Sequence, residues 1–358
     1  MLTLSRIEVE GFKSIRQLGL DLKSLNVLIG ANGAGKSNFI SVFGMLRHLI
    51  EERLQSYVAQ AGGADALLHF GRKQTSRLML QLEFKPDELG YRVELEPSAT
   101  DALFFEEEIC GRSQGLTRTL GLGSGHTETR MRKTLNADFQ SVLERLQNWR
   151  VYHFHDTSAS AKVKQTQDIG DNEVLRPDAS NLAAFLFLLR TKHPESYQRI
   201  VATIRLVAPF FDDFRLRPSP FNEQKLLLEW SERNSDAYFN AHALSDGTLR
   251  FICLATLLLQ PTLPSLVLID EPELGLHPYA VQVLAGLVRS ASHRTQVILS
   301  TQSVTLVNQL APEDLVVVDR KEGASVFHRI SEDDMKDWLD DYSLGELWEK
   351  NILGGRPG

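Results

Sequence analysis

The segment Leu25-Asn26-Val27-Leu28-Ile29-Gly30-Ala31-Asn32-Gly33-Ala34-Gly35-Lys36-Ser37 decides how this chain is read. Its first five residues have the apolar character of a buried strand, and from Asn38 onward apolar side chains recur at helical spacing. A strand, a glycine-rich turn and a helix are the context in which G-x-x-x-x-G-K-S reads as a P-loop. Gly30, Gly33 and Gly35 let the backbone curl until its N–H groups converge on phosphate oxygens, with Asn32 and Asn38 in the same cradle. Lys36 would set a point charge at the β- and γ-phosphates, and Ser37 would offer its hydroxyl to Mg²⁺. The following helix turns its positive end to the same place.

Composition bounds the rest. The chain has 358 residues, 42% hydrophobic and 24% charged, enough for one large core or two moderate ones. A formal net charge of -7 excludes a surface that is basic everywhere, so any nucleic-acid contact must be a local patch. One candidate is the Gly-, Ser- and Thr-rich stretch Gly111 to His126, expected to be a mobile loop. With the residues just after it, it carries Arg112, Arg118, Arg130, Arg132 and Lys133. The acidic pairs Asp333-Asp334 and Asp340-Asp341 read as a solvated helical face. Cys110 and Cys253 form no CxxC pair and suit a reducing, cytoplasmic setting as inert core residues. Arg6, Glu8 and Glu10 argue against a signal peptide, and Gln260-Pro261 with Pro264 interrupts the most apolar stretch, so no membrane span is expected.

Alternating residues predict strands over Leu4–Glu10 and Ile15–Leu22, then antiparallel strands over Leu78–Phe84, Tyr91–Leu95 and Leu103–Ile109. One helix is expected from Ser37 through Tyr57 to Gly62-Gly63, and another over Ala137–Trp149. The strand-like Val151–His155 puts His153 and His155 on one face. They could bind a metal, but with no further ligand cluster ordinary polar partners are the better expectation. Helices from Asp178 to Leu189 and from Pro194 to Val207 form a helical subdomain, followed by strands near Phe214–Arg217 and Lys225–Trp230.

The apolar strand Ser265-Leu266-Val267-Leu268-Ile269 ends in Asp270-Glu271-Pro272, which fits a Walker B strand. Asp270 would hold Mg²⁺ through water or Ser37, and Glu271 would orient and deprotonate the attacking water. Upstream, Ser245 caps a helix. Its hydroxyl, the Gly247 amide and the helix N-terminus make a second anion site, open to a γ-phosphate because Gly247 lacks a side chain. Gln302 follows the strand Gln296–Ser300 and would sit at that strand's end.

The set GANGAGKSN, ALSDGTLR, LVLIDEPELGLHP and STQS resembles the ABC-type ATPase heads of the RecF, SMC and OLD group, and specifically AAA_21-like ATPases. The opening EGFKSI and the closing YSLGELW belong to the same pattern. The resemblance implies an α/β fold, a P-loop NTPase of ABC-ATPase head type with two lobes. The lobes comprise a β-rich N-terminal part with antiparallel strands, a central mostly parallel sheet and an inserted helical subdomain. The expected divisions are 1–150, 151–240 and 241–358. It also implies a homodimer in which Ser245 and Gly247 contact ATP held by Lys36, Ser37 and Asp270 of the opposite subunit. Gln302 stands where histidine is common, and can donate to a γ-phosphate without changing charge near neutral pH. Asp246 replaces a signature glycine, so its charge should face away from phosphate. Gln74, Gln81 and Gln147 all remain candidates for the Q-loop glutamine.

The implied activity is Mg²⁺-dependent ATP hydrolysis gating a dimer, in DNA repair or anti-phage defence. An alternative is a DNA-structure-binding or regulatory scaffold that uses ATP structurally and controls a separately encoded effector nuclease. No Toprim nuclease is expected after Gln302. A transporter ATPase subunit shares the nucleotide motifs but not the β-rich and helical segments between Lys36 and Asp270, and no NKxD motif supports a GTPase.

Overall fold

The run Leu25–Ile29 is a strand with all five residues buried, and the chain is built outward from it. The computed structural model describes residues 3–112, 118–331, 335, 338 and 341–355. Its contacts divide it into two units, Met1–Trp149 with Ala311–Gly358, and Arg150–Leu310.

The first unit begins with β1 (Thr3–Phe12), β2 (Ile15–Asp21) and β3 (Leu25–Ile29). Then come α1 (Lys36–Ile50), α2 (Leu54–Gln60), α3 (Ala64–Leu67), β4 (Leu78–Lys85), β5 (Leu89–Pro97), β6 (Leu103–Arg112), β7 (Arg118–Gly121) and α4 (Ala137–Gln147). After the second unit the chain returns as β17 (Leu315–Lys321), β18 (Ala324–Arg329) and α10 (Leu344–Glu349). An antiparallel sheet runs in the order β2-β1-β4-β5-β6-β7. Ile7, Val9, Leu80, Leu82 and Val93 alternate into its buried face. β3 pairs in parallel with β17, Leu28 opposite Val316, and β18 runs antiparallel to β17. Phe39 and Phe43 of α1 pack on Phe327 and Trp149 at 5.6 and 5.5 Å between ring centroids.

Two expectations change here. The helix after Ser37 does not run to Gly62. It stops at Ile50, Glu52 takes φ 56°, and α2 starts anew at Leu54. The second start is capped from far along the chain, because the Glu128 carboxylate accepts the N–H groups of Leu54 (2.8 Å) and Gln55 (3.0 Å). Nor is the whole Gly111–His126 stretch a free loop. Residues 113–117 and the Arg118 side chain lie outside the described residues, but β7 pairs back onto β6, Cys110 opposite Leu120. His126 stacks on Phe105 at 4.5 Å and reaches the fully buried Glu108 at 3.0 Å. Glu108 also accepts from Tyr91 Oη (2.9 Å), Thr129 Oγ1 and the Arg130 N–H (3.1 Å). A buried carboxylate needs such donors, and these fix the segment that supplies them.

Three of the five basic side chains proposed for DNA are engaged locally. Arg112 pairs with Asp138 at 3.0 Å, Arg130 donates to the Leu122 carbonyl, and Arg132 donates to the Ile50 carbonyl at the end of α1. Lys133 is exposed. Asp333, Asp334 and Asp340 lie outside the described residues.

The second unit contains β8 (Trp149–Tyr152) from its first residues, β9 (Gln167–Asp168), α5 (Leu182–Lys192), α6 (Pro194–Val207), β10 (Phe211–Phe214), β11 (Pro218–Ser219), β12 (Asn222–Leu226), β13 (Glu229–Glu232) and β14 (Tyr238–Asn240). α7 (Asp246–Leu259), β15 (Leu266–Asp270), α8 (Pro278–Ser292), β16 (Gln296–Thr301) and α9 (Val304–Val307) complete it. The strands expected at Phe214–Arg217 and Lys225–Trp230 are displaced. β10 ends at Phe214, and the chain between β12 and β13 breaks at the buried Leu228. β15 and β16 are parallel, Asp270 opposite Ser300. α7 is buried at every position from Leu249 to Leu258, as a central helix must be. Arg294 donates to the Leu258 and Gln260 carbonyls at its C-terminus. Cys110 and Cys253 are free and buried, and burial pushes each thiol up to about 12, so both stay neutral and inert. Among the described residues no helix is long and apolar enough to cross a membrane.

Candidate nucleotide-binding site

In the first unit, β3 leads into the glycine turn and α1 leaves it. The N-terminus of α1 has Gly35 at its cap, no side-chain cap and no acidic residue in the first turn. A helix N-terminus with neither a side-chain cap nor an acidic residue in its first turn suits an anion. Lys36 is 5% exposed and folds back inside the turn, where its ammonium donates to the carbonyls of Gly30 (2.6 Å) and Ala31 (3.0 Å). Asn32, Gly33 and Ser37 are exposed at the rim.

The turn is braced from below by residues that the motif does not contain. Asn38 Nδ2 donates to Ser14 Oγ at 2.7 Å, Ser14 Oγ is hydrogen-bonded to Ser325 Oγ at 2.7 Å, and Ser325 Oγ donates to the Ala34 carbonyl at 2.5 Å. Ser325 Oγ has one proton and two acceptors within reach, Ser14 Oγ and the Ala34 carbonyl, and so ties the loop to the Ser14 hydroxyl that Asn38 also bonds. Gly35 is required here, because a Cβ would lie 2.0 Å from Ser325 Oγ.

In the second unit, β15 delivers Asp270 and Glu271 at its C-terminal end. Asp270 Oδ1 accepts from Ser300 Oγ, and its backbone carbonyl is bonded to His155 Nε2 at 2.9 Å. His155 thus has the polar partner expected of it; its ring lies 6.3 Å from that of His153. Among the described residues no group of three or more His, Cys, Asp or Glu is gathered around a metal-sized space. Glu271 adopts φ 44°, a left-handed conformation that costs a non-glycine residue about 1–2 kcal/mol. Its N–H donates to the Ser300 carbonyl at 3.0 Å. Gln302 Nε2 donates to Glu271 Oε1, so the strand-end amide meets the carboxylate read as the base.

Glu273 was not legible as a site residue. Its Oε1 accepts from Thr301 Oγ1 at 2.6 Å and from the Gln302 N–H at 3.1 Å, holding the end of β16 in place. Burial pushes this carboxyl above the usual range, with the two hydrogen bonds opposing. A raised native pKa means that the folded state holds the proton more tightly. The stabilisation is complete below the ordinary glutamate pKa and is lost as pH rises through the native value. Glu273→Gln keeps the Oε1 acceptor and removes this titration, so its melting temperature should stay level with or above wild type between about pH 4 and pH 8. Glu273→Ala strands two donors and should cost about 1–3 kcal/mol, read by denaturant titration.

Ser245 is the N-cap of α7, accepting from the Thr248 N–H at 3.2 Å. Asp246 is exposed and held by Lys164 at 3.8 Å. The absence of a side chain at Gly247 has a nearer cause than phosphate. A Cβ there would stand 2.3 Å from the Gly275 carbonyl oxygen, so the start of α7 and the turn after β15 touch backbone to backbone.

An uncapped helix after a glycine turn, a buried lysine inside it, and a parallel strand ending in two carboxylates are the parts of a P-loop ATPase, in an α/β fold. The family model "AAA domain, putative AbiEii toxin, Type IV TA system" (AAA_21) matches residues 25–308, and the chain belongs to that family. It is similar to the crystal structure of the SmcHead bound to the C-winged helix domain of ScpA, with TM-score 0.63 and 17% identity over 93% of this chain and 99% of that one. The Pyrococcus furiosus Smc head domain with an extended coiled coil, bound to the C-terminal domain of ScpA, aligns with TM-score 0.59 and 15% identity over 95% of this chain and 99% of that one. The Pyrococcus yayanosii Smc head domain with a coiled coil and joint gives 0.53 and 11% over 95% and 99%. These likenesses carry the fold.

Proposed function

We propose that the chain hydrolyses ATP and that two copies close around the nucleotide. The observation that carries this reading is the Gln302–Glu271 hydrogen bond, made on a strained residue directly after the Asp270 strand end. A carboxylate held by one amide, on a backbone that neighbours over-determine, is a base placed for a proton. Gln302 leaves Glu271 Oε2 to accept a proton from water. On release of Glu271 the same amide is a donor suited to a phosphate oxygen.

The donor sets fit the ligands. The α1 terminus and the Lys36 ammonium suit phosphates, and the Ser37 hydroxyl in the first unit and the Asp270 carboxylate in the second are each hard oxygen donors of the kind that Mg²⁺ prefers. When bound, Mg²⁺ would neutralise charge on the phosphate oxygens. Ser245 and the start of α7 are exposed, which suits a contact with nucleotide on a second copy. Binding energy of that kind lasts only while the γ-phosphate does, so hydrolysis would release the pair.

Phosphate release and molar mass, measured on the purified chain with Mg²⁺ and ATP, test this. Wild type should hydrolyse ATP and gain mass toward a dimer with ATP but not ADP. Lys36→Ala should lose at least about 100-fold in turnover at fixed ATP, as expected when a phosphate clamp is removed. A wild-type chain without turnover, or a Lys36→Ala chain equal to it, sinks the reading.

A further inference from the structure

The closing motif Tyr342-Ser343-Leu344-Gly345-Glu346-Leu347-Trp348 plays no part in the chemistry above, and the residues after it reach the nucleotide loop. Ser343 and Glu346 form a reciprocal capping box that starts α10. Leu344, Leu347, Trp348 and Leu353 are buried. The N–H groups of Lys350 and Ile352 close onto the carbonyls of Glu346 and Leu347, each at 2.9 Å. Lys350 sits 3.7 Å from the centroid of the Tyr342 ring. The chain then turns through Asn351 (φ 58°), Gly354 (φ 80°) and Gly355 (φ 77°). There the Gly355 carbonyl accepts the N–H of Ala31, the second residue of the P-loop, at 2.6 Å.

We infer that the segment from Ser343 to Gly355 is a latch that sets the P-loop for nucleotide, with Gly355 a positioning residue acting through Ala31. The inference rests on the reading of that loop as the phosphate cradle. The contact is backbone against backbone on both sides. A Cβ at Gly355 would lie 2.9 Å from Val317 Cγ1, 3.2 Å from the Val318 carbonyl oxygen and 3.3 Å from Gly30 Cα. Only glycine permits this approach together with this φ. The hydrogen bond engages an N–H at the entry of the loop, upstream of the amides at the start of α1. The latch therefore orders the cradle without competing for its phosphate donors. Because α10 is anchored through its capping box and buried leucines, displacement of that helix is transmitted to Ala31 through five residues. Nucleotide affinity thereby becomes sensitive to the C-terminal segment.

The full chain carrying Gly355→Val, compared with wild type and Lys36→Ala, tests the latch. Binding of a nonhydrolysable ATP analogue with Mg²⁺ is measured by calorimetry, and amide exchange is followed over residues 28–37 and 344–355. Gly355→Val should bind about five- to tenfold more weakly, the size expected for forcing a side chain into a left-handed position. It should also exchange faster over both 28–37 and 344–355 in ligand-free protein, while Lys36→Ala loses binding with 344–355 still protected. Unchanged affinity and unchanged exchange in Gly355→Val overturn the latch. If Gly355→Val does not fold, wild type decides by reciprocity: the analogue must slow exchange over 344–355, and no change there overturns the proposal. Undiminished binding by Lys36→Ala would instead refute the nucleotide reading, with the exchange data still deciding the latch.

Discussion

Replacing Glu271 with glutamine should lower ATP turnover about 10²- to 10⁴-fold while leaving ATP binding intact, the range that removal of a positioned general base produces. The substitution is nearly isosteric, and the site around it states what survives. Gln302 Nε2 can still donate to the side-chain oxygen at 271, and the backbone bond from residue 271 to the Ser300 carbonyl is untouched. Only the capacity to take a proton from water is lost. The variant should therefore accumulate as an ATP-bound dimer where wild type cycles, visible as a mass shift that persists over the time in which wild type reverts. Gln302→Ala separates the roles of the pair. It frees Glu271 from its amide yet keeps the base, so it should lose less turnover than Glu271→Gln. Equal hydrolysis by Glu271→Gln and wild type would remove Glu271 from the mechanism.

What the sequence displays and what it hides follow one physical division. The P-loop and the β15 strand end are local devices: glycine spacing, a lysine and two carboxylates are fixed within a few residues of one another, so the bare chain shows them. Contacts made across the chain are not displayed. The break at Glu52 has neither glycine nor proline to announce it, because the new helix start is capped by Glu128 from a distant strand connection. Gly247 invites an explanation by phosphate when read in line, and its obligation to the Gly275 carbonyl exists only once α7 and the turn after β15 are brought together. Ser300 and Thr301 leave a trace, as two hydroxyls directly after the apolar run Val297–Leu299, both fully buried. Their partners Asp270 and Glu273 account for that break in the pattern. Ser325 left none. A serine in an alternating strand is ordinary until its hydroxyl is found beneath Ala34.

Arg250 carries the largest expected effect on stability. It lies on α7, five residues beyond the cap Ser245, and is 6% exposed. Its Nε donates to the Phe154 carbonyl at 2.9 Å, Nη2 to the His155 carbonyl at 3.2 Å, and Nη1 to the Leu274 carbonyl. Burial lowers its pKa, opposed by the more distant Asp246, and the guanidinium remains charged because its starting value is so high. Arg250→Met fills most of the stem volume but leaves three carbonyls facing an apolar side chain. At about 1–3 kcal/mol for each group left unsatisfied, with partial relaxation, the loss should be about 3–5 kcal/mol. In a unit of this size that lowers the melting temperature by roughly 10 °C. Arg250→Lys should recover only part of it, since one ammonium cannot span three acceptors that the planar fork reaches together. The Leu274 carbonyl is next to Gly275, whose own Cβ would stand 2.8 Å from Arg250 Nη1 and whose oxygen crowds Gly247. Arg250 and Gly247 thus hold the same turn from two sides. Gly247→Ala and Arg250→Met should consequently be non-additive: once either has released the turn, the second finds less left to break. A double-mutant cycle in denaturant should return a coupling of about 1 kcal/mol or more, and strict additivity would show that the two contacts act on the turn independently.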